Sequence, residues 1–173
     1  MSQPIILVTF YSRCGSTEKL ALAAAVGAVQ SRALIRLRRA PDVSAAKTLE
    51  EFPECKESLV RMHREYVAPT EADILGADAI IFASPTNFNP SSAEWSDYLQ
   101  LLTELQSQGK LRGKVGAAVD AGSESTLQSF LTVIIRLGLN VAGSNSPAPD
   151  PVERAMALGR EVAEVARQKT TER

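Results

Sequence analysis

Short apolar runs of strand length alternate along this chain with longer segments of helical period, and this alternation limits the fold more than any other feature. It predicts five strands, at residues 4–10, 33–37, 79–83, 114–119 and 139–142. Helices are predicted at residues 16–29, 94–105, 126–137 and 152–167. Elements that alternate in this way build a doubly wound α/β fold, in which helices cover both faces of a parallel sheet. For five strands we expect the common order 2-1-3-4-5.

Local signals mark two helix starts and leave one segment irregular. Ser91 and Glu94 have the spacing of a capping box, and Asp150 before Pro151 predicts an N-cap followed by a first-turn proline. Residues 41–69 are charged and are interrupted by proline. We expect irregular helix there, packed over one edge of the sheet.

Size and composition favour one domain over residues 1–173. With 173 residues and 45% hydrophobic content, the chain is large enough to bury a core of its own. A net charge of −1 and a pI near 5.9 provide no field for nucleic acid or an anionic membrane. The longest apolar run near the start, "PIILVTF", is too short to span a bilayer, and no signal-peptide pattern precedes it. We therefore expect a cytoplasmic protein without stable membrane insertion.

A few residues stand out by type. Cys14 and Cys55 form neither a CxxC pair nor a disulfide framework, which favours a reducing compartment. His63 is the only histidine, so we expect it at the surface and predict no metal site. Trp95 opens an amphipathic segment and is expected in the core or at a subunit contact. Arginines cluster on the predicted edge strand, at Arg36, Arg38 and Arg39. We expect them to guard this edge of the sheet against aggregation. The alternative is that they attract the phosphate of NADPH.

The expected strand order predicts where a ligand binds. In the order 2-1-3-4-5 the chain reverses direction between strands one and three, which leaves a crevice at their carboxyl ends. The loops at this crevice are residues 11–17, "YSRCGST", and residues 84–90, "SPTNFNP". Both loops are rich in small hydroxyl, amide and turn residues, so composition and topology indicate the same place.

The first loop has the chemistry of a phosphate site. Ser12, Ser16 and Thr17 bring hydroxyl groups, and Gly15 lets the backbone come close to an anion. A helix that begins near Ser16 directs unpaired amides and its positive dipole end at the loop. The alternative is a plain strand-to-helix turn, capped by Ser16 or Thr17.

Other loop chemistries fail on the same residues. A low-molecular-weight phosphatase needs an arginine six positions after the cysteine, where this chain has Leu20. The nucleotide P-loop motif GxxxxGK[ST] is absent, and no acidic cluster ends the first strand. We interpret Cys14 as a small loop residue rather than a nucleophile. Arg13 either adds charge to the phosphate or is simply solvated.

With these residues in view, the sequence resembles the flavodoxin-like superfamily. Residues 8–21 follow the FMN-phosphate signature of flavodoxins, with Thr9 where an apolar residue is usual. The matching positions are Phe10, Ser12, Gly15, Thr17 and Ala21. The resemblance implies a flavodoxin-like fold and an FMN cofactor.

The second loop is similar to that of the WrbA-type NAD(P)H:quinone oxidoreductases, and more broadly of the NADPH-dependent FMN reductase-like family. Pro85, Thr86 and Phe88 match the Pro-Thr-Arg-Phe-Gly run that holds the flavin ring in that family, while Asn87 and Asn89 replace its arginine and glycine. The ordinary alternative is a Pro/Asn turn that leads into the next helix. By this resemblance the cofactor-binding residues are Ser12, Arg13, Cys14, Gly15, Ser16, Thr17, Pro85, Thr86, Asn87, Phe88, Asn89, Asp120, Ala121 and Gly122.

The third loop departs from the family. The family has a long glycine-rich loop after strand four, whereas this chain has only "DAGSEST". Gly122 is the best candidate to approach the ring, and Asp120 is a candidate acceptor for flavin N3–H. Ser123 is at least as well explained as a helix N-cap. The family's stretch after strand five is likewise replaced by the brief "GSNSPAPD", residues 143–150, and its active-site histidine has no counterpart.

Two classes of function remain open, and a third is less favoured. The resemblance implies an enzyme in which FMN takes hydride from NAD(P)H at N5 and passes two electrons to a quinone. It also implies a homo-oligomer, and it identifies no catalytic side chain. The second class is a binding or scaffold protein that has lost tight FMN binding. A single-electron flavodoxin carrier fits less well, because the net charge is only −1 and the third loop has no aromatic residue.

Overall fold

A computed structural model of the protein describes residues 3–143 and 146–172. Ser144 and Asn145 of the loop after strand five lie outside the described residues. Five parallel strands form one sheet in the order β2-β1-β3-β4-β5, as the sequence predicts. The strands are β1 (Ile5–Phe10), β2 (Leu34–Arg39), β3 (Ala79–Ala83), β4 (Val115–Ala118) and β5 (Asn140–Val141).

Helices lie between the strands and after the last one. Those of the predicted set are α1 (Ser16–Gln30), α5 (Ala93–Ser107), α6 (Glu124–Arg136) and α7 (Pro151–Thr171). The irregular segment and its continuation contain α2 (Ala45–Glu51), a 3-10 turn (Pro53–Cys55), α3 (Lys56–Glu65) and α4 (Glu71–Gly76). None of the described helices is both long enough and apolar enough to cross a membrane.

Helices α1 and α7 cover one face of the sheet and approach each other very closely. A Cβ atom at Gly27 would lie 1.9 Å from the carbonyl oxygen of Met156, and one at Gly159 would lie 1.9 Å from that of Ala24. Heavy atoms do not approach so closely, so only glycine allows the two backbones to meet here. This contact fixes α7 over α1, on the side of the sheet that holds Val8 and its neighbours.

The other face is covered by α5 and α6 over an aromatic core. Trp95 is fully buried, and its indole N–H donates to the hydroxyl of Ser84 at 3.1 Å. Its ring lies 5.2 Å from that of Phe130 and 6.1 Å from that of Phe82. The core position expected for Trp95 is confirmed. The bond to Ser84 also fixes the start of the second loop, because Ser84 directly follows β3.

The predicted capping box at Ser91 and Glu94 is wrong. Helix α5 begins at Ala93 after Ser92, and no side chain caps it. The Ser92 hydroxyl accepts instead from the Asn89 amide at 3.0 Å, and the Asn89 side chain accepts from the Ser91 amide at 2.8 Å. The helix therefore begins one residue later than the motif predicts, and the Ser91 amide is bonded within the turn before it.

Two other caps agree with the sequence. The Asp150 carboxylate accepts from the Val152 amide at 3.0 Å, with Pro151 as the first residue of α7. Ser123 caps α6, because its hydroxyl accepts from the Thr126 amide at 3.3 Å. Both helices are thus anchored at the end of the sheet where the three loops lie.

The arginines of β2 make ion pairs, and the interpretation as an edge guard is wrong for Arg39, which is buried. Arg38 donates two hydrogen bonds of 2.9 Å to Asp73 in α4. Arg39 is buried and pairs with Asp42 at 3.0 Å. Because β2 is an edge strand, these pairs attach the following segment to the sheet edge, where sequence alone indicated only solvated charge.

Candidate functional site

The first loop turns sharply from β1 into α1. Gly15 adopts a φ of +100° as the N-cap residue, and no side chain caps the helix. The alternative of a turn capped by Ser16 or Thr17 is therefore wrong. The Ser12 hydroxyl accepts from the Gly15 amide at 3.0 Å. The amides of the first turn of α1 have no partner within the helix, and this arrangement is the one that suits an anion.

Buried ion pairing holds this loop from below. Arg39 donates to the Ser12 carbonyl at 2.9 Å and makes two bonds of 3.0 Å to the Asp42 carboxylate. Asp42 also accepts from the Tyr11 hydroxyl at 2.9 Å. Burial, and then the Asp42 carboxylate, raise the pKa of Tyr11 above its ordinary value, so this hydroxyl stays a donor.

A second buried acid lies at the start of α1. The Glu18 carboxylate accepts from Arg61 and from the Tyr66 hydroxyl, both at 2.6 Å. The hydrogen bond from Arg61 lowers the pKa of Glu18, against the effect of burial. A Cβ atom on Gly15 would lie 3.4 Å from a Glu18 oxygen, so the carboxylate is close to the loop. Its pairing with Arg61 offsets a charge that would otherwise repel an anion.

The second loop packs its central aromatic residue against the first. Phe88 is buried, and its ring lies 4.9 Å from that of Tyr11. Its amide donates to the Pro85 carbonyl at 3.0 Å, which closes a tight turn. Thr86 and Asn87 are exposed, and the Thr86 carbonyl accepts from the Thr126 hydroxyl of α6 at 2.8 Å. The two loops are thus in direct contact, as their places in the fold predict.

Residues of both loops line one cavity of about 150 Å³. Its lining is Ser12, Arg13, Cys14, Ser16, Thr17, Phe52, Pro85, Asn87 and Phe88. The Arg13 guanidinium lies 4.3 Å from the Phe52 ring centroid and 4.7 Å from that of Phe88. Arg13 is therefore stacked between two aromatic rings and is not simply solvated. A second cavity, of about 300 Å³, lies between Thr86–Asn89 and α6.

A disulfide joins Cys14 of the first loop to Cys55 of the 3-10 turn, with the Cα atoms 4.7 Å apart. The expectation that the two cysteines form no disulfide is thus wrong. The cysteines are 41 residues apart, and they meet only because the segment after β2 folds back over the first loop. Phe52 enters the cavity by the same route, and nothing in the local sequence marks it as a site residue.

The third loop meets the other two only in part. Ala121 lines a cavity of about 630 Å³ together with Cys14, Gly15 and residues of α3 and α7. Asp120 accepts from the Gly122 amide at 2.9 Å and lies 3.5 Å from the Arg154 side chain. Among the described residues that line the cavity between the first two loops, neither Asp120 nor Gly122 appears. Their contact with a flavin stays a prediction.

Comparison with known proteins gives this site its context. No family model matches the chain. It is 32% identical over 185 residues to the NAD(P)H dehydrogenase (quinone) of Archaeoglobus fulgidus, and the alignment covers 93% of this chain and 96% of that protein. The chain belongs to the NAD(P)H dehydrogenase (quinone) family. The NAD(P)H dehydrogenase (quinone) 3 of Rhizobium meliloti is also 32% identical, over 80% of this chain and 65% of its own length.

Solved structures resemble this NAD(P)H dehydrogenase (quinone) family member in fold. The flavodoxin, WrbA-like protein of Agrobacterium tumefaciens superposes with a TM-score of 0.63 at 22% identity, over 96% of this chain and 99% of that one. A flavodoxin of Streptococcus pneumonia gives 0.58 at 20% identity, over 92% and 98%. The flavodoxin-like fold expected from residues 8–21 is confirmed.

Proposed function

We propose that the protein is an FMN-dependent oxidoreductase that uses NAD(P)H to reduce a quinone by two electrons. The observation that carries the proposal is the shared cavity, in which both loops meet at the uncapped start of α1. The position of that cavity, at the carboxyl ends of β1 and β3, is where doubly wound folds bind ligands. Support also comes from the NAD(P)H dehydrogenase (quinone) of Archaeoglobus fulgidus, which this chain matches over nearly its full length.

The residues present suit the phosphate end of FMN. Amides of the first turn of α1 and the hydroxyls of Ser12, Ser16 and Thr17 are the donors for a phosphate. Gly15 leaves the approach open, because its positive φ and its missing Cβ keep side-chain atoms out of the loop. The loop lacks lysine, so the amides, the helix dipole and the Arg13 guanidinium that lines the cavity supply the favourable field.

The same cavity is too small for the whole cofactor. Pockets for small molecules typically span about 300–1,000 Å³, whereas this one holds about 150 Å³. It suits a phosphate, and the ring belongs by resemblance beside Pro85–Asn89, where a second cavity of about 300 Å³ lies. Bound FMN supplies hydride acceptance and donation at its N5 atom. The chain's part is to hold the phosphate and to keep water from the ring with Phe88 and its neighbours.

The small volume of the cavity between the first two loops also suggests a second candidate function. If the cavity stays narrow, the protein is a binding or scaffold member of the family in which tight FMN binding is lost. The short third loop supports this alternative, because Asp120 accepts from the Gly122 amide and pairs with Arg154, and neither Asp120 nor Gly122 is among the described residues that line the cavity. An electron-carrier role has no comparable support among the described residues.

Steady-state assays with added FMN separate these functions. We expect NAD(P)H oxidation with a benzoquinone acceptor, above the rate with free FMN and without accumulation of a semiquinone. Gly15→Ala should abolish the added rate, because alanine is strained at a φ of +100°. Gly143→Ala is the matched control, since its Cβ would meet no atom within 4 Å. No rate above free FMN would favour the binding protein, and a long-lived neutral semiquinone would favour the carrier.

We also propose a homo-oligomer in the cytoplasm. The apolar side chains of Leu22, Val26 and Val29 are 41–55% exposed on α1 and recur at helical spacing. Such a stripe is typical of a surface that a second copy covers. Sedimentation velocity of wild type and Val26→Lys tests this, and a monomer in both samples would contradict it.

A further inference from the structure

The disulfide joins the cavity to a segment that little else holds. On one side it attaches to Cys14, which is exposed in the first loop, and on the other to Cys55, which is fully buried. The segment before Cys55 includes α2, which buries none of its residues. Segments with so few buried contacts open locally at low free energy. The covalent bond is therefore the strongest link between this segment and the loop.

Both ends of the disulfide have neighbours that form the cavity wall. Arg13 directly precedes Cys14, and Phe52 lies three residues before Cys55. The Arg13 guanidinium fills the space between Phe52 and Phe88, at 4.3 and 4.7 Å from the two ring centroids. The disulfide thus keeps Phe52 against Arg13, and Arg13 against the second loop. This stack lines the same cavity that is too small for FMN.

We propose that the Cys14–Cys55 disulfide is a redox-controlled clamp, which holds Phe52 over the first loop and restricts entry of the flavin to the cleft. Reduction releases the segment with Phe52, the stack on Arg13 separates, and the cavity widens. This inference rests on the proposed function, because it assigns the regulation of the same FMN site.

The reductant is a dithiol, and the exchange balances without another reactant. A thiolate of the dithiol attacks the Sγ of Cys14, which is an exposed residue, the disulfide bond breaks, and Cys55 leaves as a thiolate that takes up a proton. The second thiol of the dithiol then displaces the Cys14 sulfur. Two protein thiols are formed, and the dithiol is oxidised to its own disulfide, so two electrons have moved. In reducing compartments, disulfides of this kind are transient or redox-sensing.

The size of the effect follows from the population of the open form. An apparent Kd equals the intrinsic Kd divided by the fraction of molecules that are competent to bind. If the disulfide keeps about one molecule in ten open, reduction tightens FMN binding about tenfold.

The test compares FMN affinity in the two redox states by flavin fluorescence. Protein is oxidised with a disulfide reagent or reduced with dithiothreitol, freed of reagent under nitrogen, and checked by thiol titration. EDTA is present throughout, because a carboxylate oxygen of Glu54 lies within 4.8 Å of both sulfur atoms and the reduced cluster is able to hold a metal ion. We expect binding about tenfold tighter after reduction.

Three variants test whether the redox dependence of FMN affinity comes from the disulfide and from Phe52. Cys55→Ala should bind FMN as tightly as reduced wild type in both states. Phe52→Ala keeps the disulfide and should also bind tightly in both states, because the wall itself is gone. Val43→Ala is the matched control, a 60% exposed residue of the same segment that should keep the redox dependence.

Hydrogen exchange of residues 45–55 provides a readout that needs no cofactor. Reduction should speed exchange there and leave β1 unchanged. Equal FMN affinity in both states, unchanged exchange on reduction, or two thiols that resist oxidation would each overturn the clamp. If neither state binds FMN, the proposed function fails, and the clamp is then decided by the exchange data alone.

Discussion

Removing one charge from the buried pair beneath the first loop is expected to destabilise the protein strongly. The side chains of Arg39 and Asp42 are only 4% and 6% exposed, and they are joined by two hydrogen bonds of 3.0 Å. Asp42→Ala leaves the Arg39 guanidinium buried without its counter-charge. Breaking a buried pair in this way costs about 3–5 kcal/mol. It also removes the acceptor of the Tyr11 hydroxyl.

The expected loss is measured by urea unfolding and by thermal melting followed with circular dichroism. For a domain of this size, each kcal/mol lowers Tm by about 2–4 °C, so Asp42→Ala should melt about 6–20 °C below wild type. The control is Glu51→Gln, which removes an ion pair to Lys47 whose side chains are 53% and 72% exposed. Exposed pairs contribute about 0–1 kcal/mol.

A double variant shows whether the loss of stability comes from losing the ion pair itself or from leaving the Arg39 charge buried without a partner. Replacing both partners, as Arg39→Met with Asp42→Leu, should recover much of the stability lost by Asp42→Ala, because apolar pairs of similar volume often substitute for buried ion pairs. A loss for Asp42→Ala no larger than that of Glu51→Gln would refute the reasoning. A double variant as unstable as the single one would show that the site needs the specific bonds to Ser12 and Tyr11.

Three further predictions concern packing, phosphate binding and pH. Gly159→Ala should lose about 1–3 kcal/mol of stability in urea unfolding, because its Cβ would lie 1.9 Å from a backbone oxygen of α1; Gly143→Ala, in open space, should not. Thr17→Val should weaken FMN by roughly 1.5–3 kcal/mol in fluorescence titrations, yet leave riboflavin unchanged, because only FMN carries the charged group. Glu18 has a lowered pKa in the folded state, so its stabilising contribution is present above the ordinary value of 4.5 and is lost as pH falls below it. Urea unfolding across this window should show a shallower pH dependence in Glu18→Gln than in wild type.

Each of these predictions has a contradicting result. Equal stability of Gly159→Ala and wild type would mean that the helices separate without cost. Equal losses of FMN and riboflavin in Thr17→Val would indicate that the hydroxyl contacts no phosphate. A Glu18→Gln variant with the wild-type pH dependence would show that other carboxylates, such as the paired Asp73, dominate acid unfolding.

The sequence by itself determined the five strands, four of the helices and the order of the strands. Apolar runs of strand length and segments of helical period are local patterns, and their alternation predicts the doubly wound fold. In that fold a crevice forms where the strand order reverses, so the positions of the first two loops follow from the strand order. The caps at Asp150 and Ser123 follow from neighbouring residues alone. The capping box predicted at Ser91 and Glu94 is wrong, because the Ser91 amide is bonded to the Asn89 side chain in the turn and the helix begins only after Ser92.

The tertiary structure alone decided how the site is closed and charged. Cys14 meets Cys55 across 41 residues, and Glu18 meets Arg61 across 43. Such pairs depend on the path of residues 41–69, for which the sequence predicts only irregular helix over one edge of the sheet. Burial then changes what each side chain does: Arg39, a solvated guard by its sequence context, becomes half of a buried ion pair once Asp42 folds beneath the loop. The role of a charged side chain or a thiol depends on the group that it contacts, and for Cys14 and Glu18 that group is distant in the sequence.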